Sequence, residues 1–322
     1  MKVKEILHKN QKIYDWLHNE YYKICIRKNE RLVRKGKTQA AKMLITKSFK
    51  DLVGYTPDLD NPKTFNEKIN WMKLYWYNPD MIICCDKNLV REYVKGKGLE
   101  ELLIPQIGVY DNANQIDFSN LPEKFVLKPS HDSGHYVLCR NKLSINIRKT
   151  KRMLNTYLKY DFAYRGMEWS YHTRKPVIVC EELLEDDNVD ELYDYKFFCF
   201  NGKPKYIFFV SDRKNHAKSD FYDLDWERQN FRWYYEPSGI DHPKPSRFDD
   251  MIKYAEILSI EFPFVRVDFY EVNGKVYIGE LTFFHGSGYG WFKPMEMDKV
   301  FGEMISLPKR TDIDPWDWVT SK

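Results

Sequence analysis

The alternation of apolar and polar residues is clearest between Phe264 and Trp291. It continues on both sides of Asn273-Gly274, a dipeptide typical of tight β-turns, and therefore predicts an antiparallel hairpin followed by a glycine-rich loop. Arg266, Asp268 and Glu280 interrupt the apolar pattern. Because an isolated buried charge is costly, buried charges are usually paired or bound to metal. Two strand-borne carboxylates beside an arginine indicate a hard cation carried by a phosphate; the alternative is an edge hairpin with solvated charges.

The register of this hairpin decides whether Asp268 and Glu280 share one face of the sheet. A two-residue turn at Asn273-Gly274 would pair Asp268 with Gly279 and place Glu280 on the opposite face. A three-residue loop ending in a left-handed glycine would place Arg266 opposite Glu280, with Asp268 as the diagonal neighbour about 7–8 Å away. We predict the three-residue loop, because that register lets both carboxylates reach one ion.

Helical and strand patterns also follow one another along the rest of the chain, without an internal repeat. The apolar spacing predicts a helical segment over 1–55, and Thr64 and Glu67 form a capping-box pattern that starts a helix ending near Tyr75. Asp86 can cap a further helix. Other predicted helices cover 146–159 and 246–260, and predicted strands cover 125–128, 136–139, 177–184, 195–200 and 205–210. The mixture predicts an α+β fold.

Composition narrows the class of protein. A chain of 322 residues with a mean hydropathy of −0.63 predicts a soluble globular protein of about two or three domains. The sequence has no apolar run of about 18 residues and no apolar signal core at its start, so we expect neither a transmembrane helix nor secretion. The six cysteines form no C-x-x-C pair. This pattern predicts a reducing cytoplasm and no structural zinc.

Positive charge is concentrated at the start of the chain. Residues 1–50 contain 14 Lys/Arg and 4 Asp/Glu, a net charge of +10, whereas the whole chain carries +4. Such a segment can bind an anionic membrane surface, a polyanion or an acidic partner, which would place the protein at the inner membrane face. A solvated helical surface is the alternative, and we expect no specific binding to nucleic acid.

Two lysines stand where a phosphate could be bound. Lys87 follows Asp86 at a predicted helix start, where free backbone amides favour anions. Lys128 ends an apolar strand and precedes the polar loop 130–135, whose amides could close over phosphates. The chain has no G-x-x-x-x-G-K-[ST] sequence, so this is not a Walker A loop. Each lysine taken alone is equally consistent with an ordinary surface position.

Acidic residues mark two further strands. Glu181 and Glu182 follow the buried strand that begins at Val177 and could read an adenine amino group together with backbone groups. Asp194 and Lys196 fall on the same face of their strand because side chains alternate. An isolated Asp/Lys pair is more often structural, so the pair gains meaning only from its surroundings.

In chain order, the segments DKNLVR, FVLKPSHDSG, VCEELL, DYKF, RVDFY and GELTF resemble the ATP-grasp superfamily. The chain looks most like the TupA-like branch, which is associated with polysaccharide biosynthesis of the teichuronopeptide type, and the resemblance covers about residues 60–295. It implies an ATP-grasp fold in which ATP lies between two α+β subdomains. The implied division is a basic helical segment (1–55), the N-terminal part of the core (56–120), a central lid subdomain with the phosphate loop (121–180) and a C-terminal subdomain with the metal hairpin (181–322).

The resemblance also implies roles for individual residues. The phosphates of ATP would be contacted by Lys87, Lys128, Ser130, Ser133, Gly134 and His135. The adenine and ribose-phosphate region would be formed by Glu181, Glu182, Leu184, Asp194 and Lys196. Asp268 and Glu280 would hold Mg²⁺, Arg266 and Lys196 would act on the transferred phosphoryl group, and the substrate would contact Thr282, His285, Ser287 and Gly288. Many superfamily members have Glu-x-Asn where this chain has Glu280-Leu281-Thr282, so the number of metal ions stays open.

The activity that the resemblance implies is ATP-dependent ligation of a carboxylate to an amine through an acyl phosphate. In this branch the carboxylate would belong to a uronic acid or another carboxylated glycan, and the amine to an amino acid or small amine. Asp223-Leu224-Asp225 has the form of a glycosyltransferase metal motif, so a glycosyltransferase or a small-molecule kinase is an alternative. A non-catalytic ATP-grasp binding module is another, although the intact lysines and carboxylates argue against it.

Overall fold

The computed structural model describes residues 11–186, 192–212 and 217–321. The helices are α1 (Gln11–Val53), α2 (Phe65–Tyr75), α3 (Pro79–Cys85), α4 (Val90–Gly96), α5 (Ile147–Tyr157), α6 (Ala163–Gly166), α7 (Phe248–Ser259), α8 (Glu296–Glu303) and α9 (Pro315–Thr320). The strands are β1 (Gln106–Tyr110), β2 (Phe125–Pro129), β3 (Val137–Cys139), β4 (Ile178–Glu182), β5 (Asp194–Phe200), β6 (Lys203–Ser211), β7 (Lys218–Tyr222), β8 (Arg232–Trp233), β9 (Phe264–Val272), β10 (Lys275–Thr282) and β11 (Phe292–Lys293).

The strands form antiparallel sheets that confirm the predicted α+β class. A four-stranded sheet has the order β1-β4-β2-β3, a five-stranded sheet has the order β10-β9-β5-β6-β7, and β11 pairs with β8. The four-stranded sheet has its own apolar core, which includes Phe118, Phe125 and Leu154, whereas the five-stranded sheet shares one core with α1, α2 and α7. The boundaries predicted at residues 120 and 180 stay predictions; β1, which precedes the first of them, pairs with β4.

Helix α1 is packed against the body of the protein. Val33, Ala41, Ile45 and Phe49 are fully buried and lie on one face of the helix. The helical geometry breaks at Lys37, where φ is +46°. The basic residues lie mostly on the exposed side, among them Arg31, Arg34, Lys35, Lys47 and Lys50. The first ten residues of the predicted segment 1–55 lie outside the described residues, and its anionic partner stays a prediction.

The capping box at the start of α2 is confirmed. The Glu67 amide donates to the Thr64 hydroxyl at 3.3 Å, and the Thr64 amide donates to the Glu67 carboxylate at 3.1 Å. These reciprocal bonds satisfy amides that the first turn of a helix leaves free. The helix ends at Tyr75, where the sequence pattern placed its end.

Helix α2 also presents a buried polar stripe to the loop after β10. Asn66, Asn70 and Lys73 occupy one face at spacings of four and three residues, and all are at most 1% exposed. Their donors bond to backbone carbonyl oxygens: Asn66 to Gly290 at 2.7 Å, Asn70 to Gly288 at 2.7 Å, and Lys73 to Ser287 at 2.7 Å and Gly166 at 2.8 Å. Because unpaired buried polar groups are costly, these bonds hold the loop in one conformation.

The predicted three-residue loop of the β9–β10 hairpin is wrong. Asn273 and Gly274 have φ values of +50° and +73°, and Lys275 pairs with Val272, as in a two-residue turn. Asn-Gly adopts such left-handed turns readily, and their twist matches that of the flanking strands. Taken alone, this turn would place Leu281 opposite Arg266. In the structure Thr282 lies opposite Arg266, and not Glu280 as predicted.

A bulge in β10 nevertheless brings the two carboxylates to the same place. Ile278 pairs with Phe269 and Glu280 pairs with Asp268, so Gly279 is the extra residue. A Cβ atom at Gly279 would lie 2.9 Å from the Tyr270 ring, which explains why a glycine fits there. One additional residue is needed to place Asp268 and Glu280 on the same face of the sheet. The bulge within β10 supplies that residue, and the turn does not.

Burial lowers the pKa of Lys73 from 10.5 to about 8, although nearby Glu168 opposes the shift. The folded protein therefore binds fewer protons than the unfolded chain between these two values, and its stability should rise with pH in that window. Lys73→Met removes the titrating group. We expect the free energy of unfolding of the wild type, relative to Lys73→Met, to increase by about 1 kcal/mol per pH unit between pH 8 and 10.

Chemical denaturation at pH 7, 8, 9 and 10 measures this difference. Lys35→Met, at an exposed position of α1, is the control and should give a curve parallel to that of the wild type. A parallel curve for Lys73→Met would show that Lys73 titrates normally.

Candidate active site

A cleft lies between the four-stranded sheet and β10. Its charged lining residues are Lys87, Arg91, Lys128, Asp132, Glu181 and Glu280, and its apolar lining includes side chains from α3, α4 and β10. The chain thus brings together two lysines and two carboxylates that the sequence singled out at widely separated positions. Asp132 was not singled out, and its only sequence signal was its place in the polar loop after Lys128.

Lys87 is held at the base of the cleft by the loop that follows β2. Its backbone amide donates to the Ser130 carbonyl at 2.9 Å, and its ammonium group contacts the Asp132 carbonyl. Burial lowers the pKa of Lys87, while the charges of Asp132 and Glu280 partly oppose this shift. The lysine is therefore a desolvated cation that faces acidic groups, an arrangement suited to a phosphate.

Ser130 joins this loop to the turn before α4. Its hydroxyl donates to Asp86 at 2.7 Å, and the other Asp86 oxygen accepts the amides of Asn88 and Leu89 at 2.9 and 3.1 Å. The side chain of Ser130 is fully buried. It therefore orients the segment that carries Lys87, while its predicted contact with a phosphate stays a prediction.

Lys128 and Glu181 form an ion pair across neighbouring strands at 2.6 Å. The Lys128 side chain is 24% exposed and that of Glu181 10%, so the pair faces the cleft without being freely solvated. Strand β4 ends at Glu182, which is exposed, and Leu184 follows it half-buried. The segment proposed to contact adenine therefore leaves the sheet directly beside the cleft.

The predicted phosphate loop is closed by its own side chains. The Asp132 carboxylate lies 2.9 Å from Nδ1 of His135, and the His135 ring stacks on Tyr157 with 3.7 Å between ring centroids. Gly134 has φ +100°, a conformation that L side chains rarely adopt. Ser133 is exposed, and its carbonyl accepts a bond from Arg165 at 3.3 Å. The loop lies beside the cleft, and the contacts described here are all made with other residues of the chain and not with a phosphate.

Five charged side chains form one network on β5, β9 and β10. Lys196 lies 2.5 Å from both Asp194 and Asp268. Arg266 donates to both oxygens of Asp268 at 2.7 and 2.6 Å, and the same Nη2 atom donates to Glu280 at 2.6 Å. Such a fork fixes the guanidinium plane as well as its position. Because both carboxylates bond to one nitrogen, they converge on one point.

The two carboxylates differ in their access to the cleft. The Asp268 side chain is 2% exposed, whereas that of Glu280 is 45% exposed. Burial raises the pKa of Asp268 to about 6, although Arg266 and Lys196 oppose the shift. For Glu280, burial favours a higher pKa, but Arg266 and Lys196 outweigh it, so the pKa is lowered. Arg266 and Lys196 therefore favour the ionised form of both groups.

These carboxylates fit the way proteins hold Mg²⁺ beside a nucleotide. Magnesium is usually bound by one or two carboxylates, with phosphate oxygens and water completing its ligands. Within the described residues there is no group of three or more His, Cys, Asp or Glu arranged to hold a metal. Asp268 and Glu280 would thus hold the ion only together with phosphates. The Thr282 hydroxyl lies 3.2 Å from Glu280 and can orient it.

The predicted substrate residues after β10 are bonded to the protein interior. Arg266 donates to Nδ1 of His285 at 2.8 Å, and burial together with the Arg266 charge holds the pKa of His285 well below its usual range. His285 is therefore a neutral acceptor that orients the arginine. The Ser287 hydroxyl bonds to Glu168, and the carbonyls of Ser287 and Gly288 are held by α2. None of these three residues lines the cleft, and their contact with substrate stays a prediction.

The comparison with protein families identifies the class. The profile of the family described as TupA-like ATPgrasp matches residues 67–306. The chain belongs to this family, as the resemblance seen in the sequence predicted. No curated protein sequence matches the chain.

Solved structures with distant similarity are ligases. D-alanine–D-alanine ligase from Bacillus anthracis shares 15% identity over 62% of this chain and 57% of its own, with a TM-score of 0.38. L-amino acid ligase from Bacillus licheniformis shares 15% identity over 64% of this chain and 44% of its own, with a TM-score of 0.40. D-alanine–D-alanine ligase from Helicobacter pylori shares 17% identity over 70% of this chain and 62% of its own, with a TM-score of 0.40. The chain therefore spans 44–62% of the length of these relatives.

Among the helices in the described part of the chain, none combines the length and apolar character needed to cross a bilayer.

We expect Lys128→Ala to lower ATP turnover by about 10²–10³-fold, because it removes a preorganised cation from the cleft. Lys124→Ala is the matched control. Lys124 also pairs with a glutamate, Glu185, but its side chain is 55% exposed and does not line the cleft. ADP release by each purified variant measures the effect. Equal losses in both variants would indicate a general effect of removing charge, and an unchanged Lys128→Ala rate would remove Lys128 from the site.

Proposed function

We propose that the chain is an ATP-dependent carboxylate–amine ligase that forms an amide through an acyl phosphate. The observation that carries the proposal is that Lys87 and Lys128 face Glu280 in one cleft, where Glu280 shares the Arg266 guanidinium with Asp268. Membership of the TupA-like ATP-grasp family supports the same reaction class. Phosphoryl transfer depends mainly on positioning and on stabilising negative charge, which these side chains can supply without a nucleophile.

The lysines would bind the phosphates from one side of the cleft. Glu181 orients the Lys128 ammonium group, and the loop carbonyl of Asp132 orients that of Lys87. An ammonium group acts as a compact charge that suits phosphate oxygens. Lys128 lies on β2 of the four-stranded sheet, and the backbone amide of Lys87 is bonded to the loop that follows β2. The separation of the two lysines is therefore set by backbone hydrogen bonds and not by a flexible surface segment.

Arg266 would stabilise charge from the other side. Its Nη2 bonds to the two carboxylates, its Nε to Asp268, and its Nη1 to His285, so the guanidinium group has little freedom to rotate. Lys196 is similarly held by Asp194 and Asp268. Mg²⁺ bound at Asp268 and Glu280 would supply Lewis-acid neutralisation of phosphate oxygens. Cations fixed before the reaction need no reorganisation when charge develops.

The proposed reaction has two steps. A carboxylate oxygen of the first substrate takes the γ-phosphoryl group of ATP, and ADP leaves. The amine nitrogen of the second substrate then attacks the carbonyl carbon, the bond from that carbon to the phosphate oxygen breaks, and the amine loses a proton. The products are an amide, ADP and inorganic phosphate.

We further propose that the carboxylate belongs to a uronic acid or another carboxylated glycan, and the amine to an amino acid or small amine. Membership of the TupA-like family supports this assignment, together with the association with polysaccharide biosynthesis that the sequence resemblance implies. We propose that the reaction takes place in the cytoplasm, where ATP is available.

The glycosyltransferase alternative gains no support from Asp223-Leu224-Asp225. One Asp223 oxygen accepts the amides of Asp225 and Glu227 at 3.0 and 2.9 Å, and the other accepts the Gln229 amide group at 2.9 Å. Asp223 therefore closes the turn after β7. A carboxylate with these bonds is explained by local structure.

Product analysis with a panel of uronic acids and amines, in the presence of ATP and Mg²⁺, tests the proposed reaction. We expect ADP, phosphate and an amide whose mass equals the two substrates less one water. Asp268→Asn should reduce turnover by about 10²–10³-fold because it removes a carboxylate from the metal site. Asp223→Asn, which keeps the side-chain acceptor, is the control and should retain activity.

Three results would contradict the ligase proposal: ADP with a stable phosphorylated sugar, which indicates a kinase; release of UDP from a nucleotide sugar; or wild-type turnover by Asp268→Asn.

A further inference from the structure

A second open space, a surface groove, lies beside the two-stranded sheet formed by β8 and β11. This groove has a volume of about 820 Å³ and is lined by Asp220, residues 228–232, residues 236–237 and residues 293–294. Ligand pockets usually measure about 300–1,000 Å³. The groove volume lies in the upper part of that range, and none of its lining residues belongs to the cleft described above.

Three exposed aromatic residues lie close in sequence to residues that line the groove. Tyr234, Tyr235 and Trp291 are 58%, 39% and 40% exposed. The Tyr234 ring centroid lies 5.3 Å from that of Tyr235 and 6.1 Å from that of Trp291, so the rings form one patch. The two tyrosines stand in sequence between groove residues 232 and 236. A contiguous patch of exposed rings on a soluble surface commonly marks a binding site.

The backbone of this patch is strained. Tyr234 has φ +61°, a region that bulky L residues rarely occupy. The turn is closed by a bond from the Tyr235 amide to the Trp233 carbonyl at 2.6 Å, and the Tyr234 amide donates to Trp291 at 3.3 Å. Strained backbone of this kind is concentrated at ligand-binding and catalytic sites. Here the strained turn holds the Tyr234 ring exposed to solvent, so burial of this ring contributes little to offset the strain.

The groove wall carries more positive than negative charge. Its cations are Arg228, Arg232 and Lys293, and its anions are Asp220 and Glu236. Arg232 is paired with Glu236, and its guanidinium carbon lies 5.7 Å from the centroid of the Trp291 ring. Arg228 is paired with Asp241 at 3.1 Å. Within the described chain, no hydrogen bond or ion pair holds the ammonium group of Lys293, so this cation is available to a ligand.

A chain of contacts links the segment that carries the patch to Arg266. Trp233, the strand residue next to Tyr234, is buried, and its ring centroid lies 4.7 Å from that of His285. His285 in turn accepts a bond from Arg266 at 2.8 Å. Two buried rings therefore connect this segment to the residue proposed to stabilise the transferred phosphoryl group.

We propose that this groove binds an anionic oligosaccharide, namely the chain of the carboxylated glycan whose modification is proposed above. The apolar C–H faces of sugar rings would stack on Tyr234 and Trp291, because the face of an aromatic ring carries partial negative charge. A carboxylate of the chain would pair with Lys293. The proposal rests on the proposed function for the identity of its ligand, but not for its test.

Calorimetric titration of the full chain, without ATP, tests the groove directly. The probes are tetragalacturonate, neutral maltotetraose of the same length, and galacturonic acid as the monomer. We expect tetragalacturonate to bind at least about tenfold more tightly than either of the other two, because only it offers both stacking rings and several carboxylates. Failure of the wild type to bind tetragalacturonate in this way would overturn the proposal.

Variants localise the binding. Trp291→Ala should weaken tetragalacturonate binding by about tenfold, and Lys293→Gln should remove the preference over maltotetraose. Tyr234→Asn is a second probe of the patch, because asparagine tolerates a positive φ. If Trp291→Ala fails to fold, Tyr234→Asn still tests whether the patch contributes to binding. Ile257→Ala, on the exposed side of α7 and 39% exposed, is the control. Unchanged affinity in both Trp291→Ala and Tyr234→Asn would overturn the proposal.

Failure of this inference can be distinguished from failure of the proposed function. Lys128→Ala, which should lose ATP turnover, is expected to bind tetragalacturonate as the wild type does. A chain that binds the tetrasaccharide but forms no amide would leave the groove standing and contradict the ligase reaction. A chain that forms an amide from a uronic acid but does not distinguish the probes would do the reverse.

Discussion

The candidate site depends on one guanidinium group. Arg266 bonds to Asp268, Glu280 and His285 at once, and so joins two strands to the loop that follows them. Buried charges of this kind are costly unless every partner is present, since removal of one leaves an uncompensated charge. The cost is offset here because the arginine stands between two carboxylates and a neutral imidazole. The arrangement also places the more exposed carboxylate, Glu280, where the cleft opens.

The geometry of that group is maintained by structure further away. The stripe on α2 fixes the backbone from Ser287 to Gly290, and this segment begins two residues after His285. Gly286, Ser287 and Gly288 all have positive φ; glycine adopts such values readily, but serine rarely does. The buried donors of α2 supply what the local sequence does not. The orientation of Arg266 therefore relies on a helix some 200 residues earlier in the chain.

The sequence was sufficient for features that arise from local chemistry. The capping box at Thr64, the strands around Lys128 and Lys196, and the hairpin itself follow from alternation and turn residues. The family resemblance added what spacing could not, that Lys87, Lys128 and Glu280 would meet. The register of β9 and β10 could not be predicted, because the bulge at Gly279 depends on the ring of Tyr270 across the sheet. The Asn-Gly dipeptide correctly indicates a two-residue turn. The three-residue loop was wrong because it assumed that the turn, and not a bulge, brings the carboxylates together. Asp132 and the α2 stripe escaped prediction since each acts through contacts distant in sequence.

The proposed chemistry is the transfer of the γ-phosphoryl group of ATP to a substrate carboxylate in the cleft. Labelling that carboxylate with ¹⁸O and analysing the released phosphate by mass spectrometry tests this transfer most directly. A reaction through an acyl phosphate moves one carboxylate oxygen into the phosphate, so each amide formed should be accompanied by one phosphate carrying a single ¹⁸O atom. Unlabelled phosphate released in step with amide formation would contradict the account.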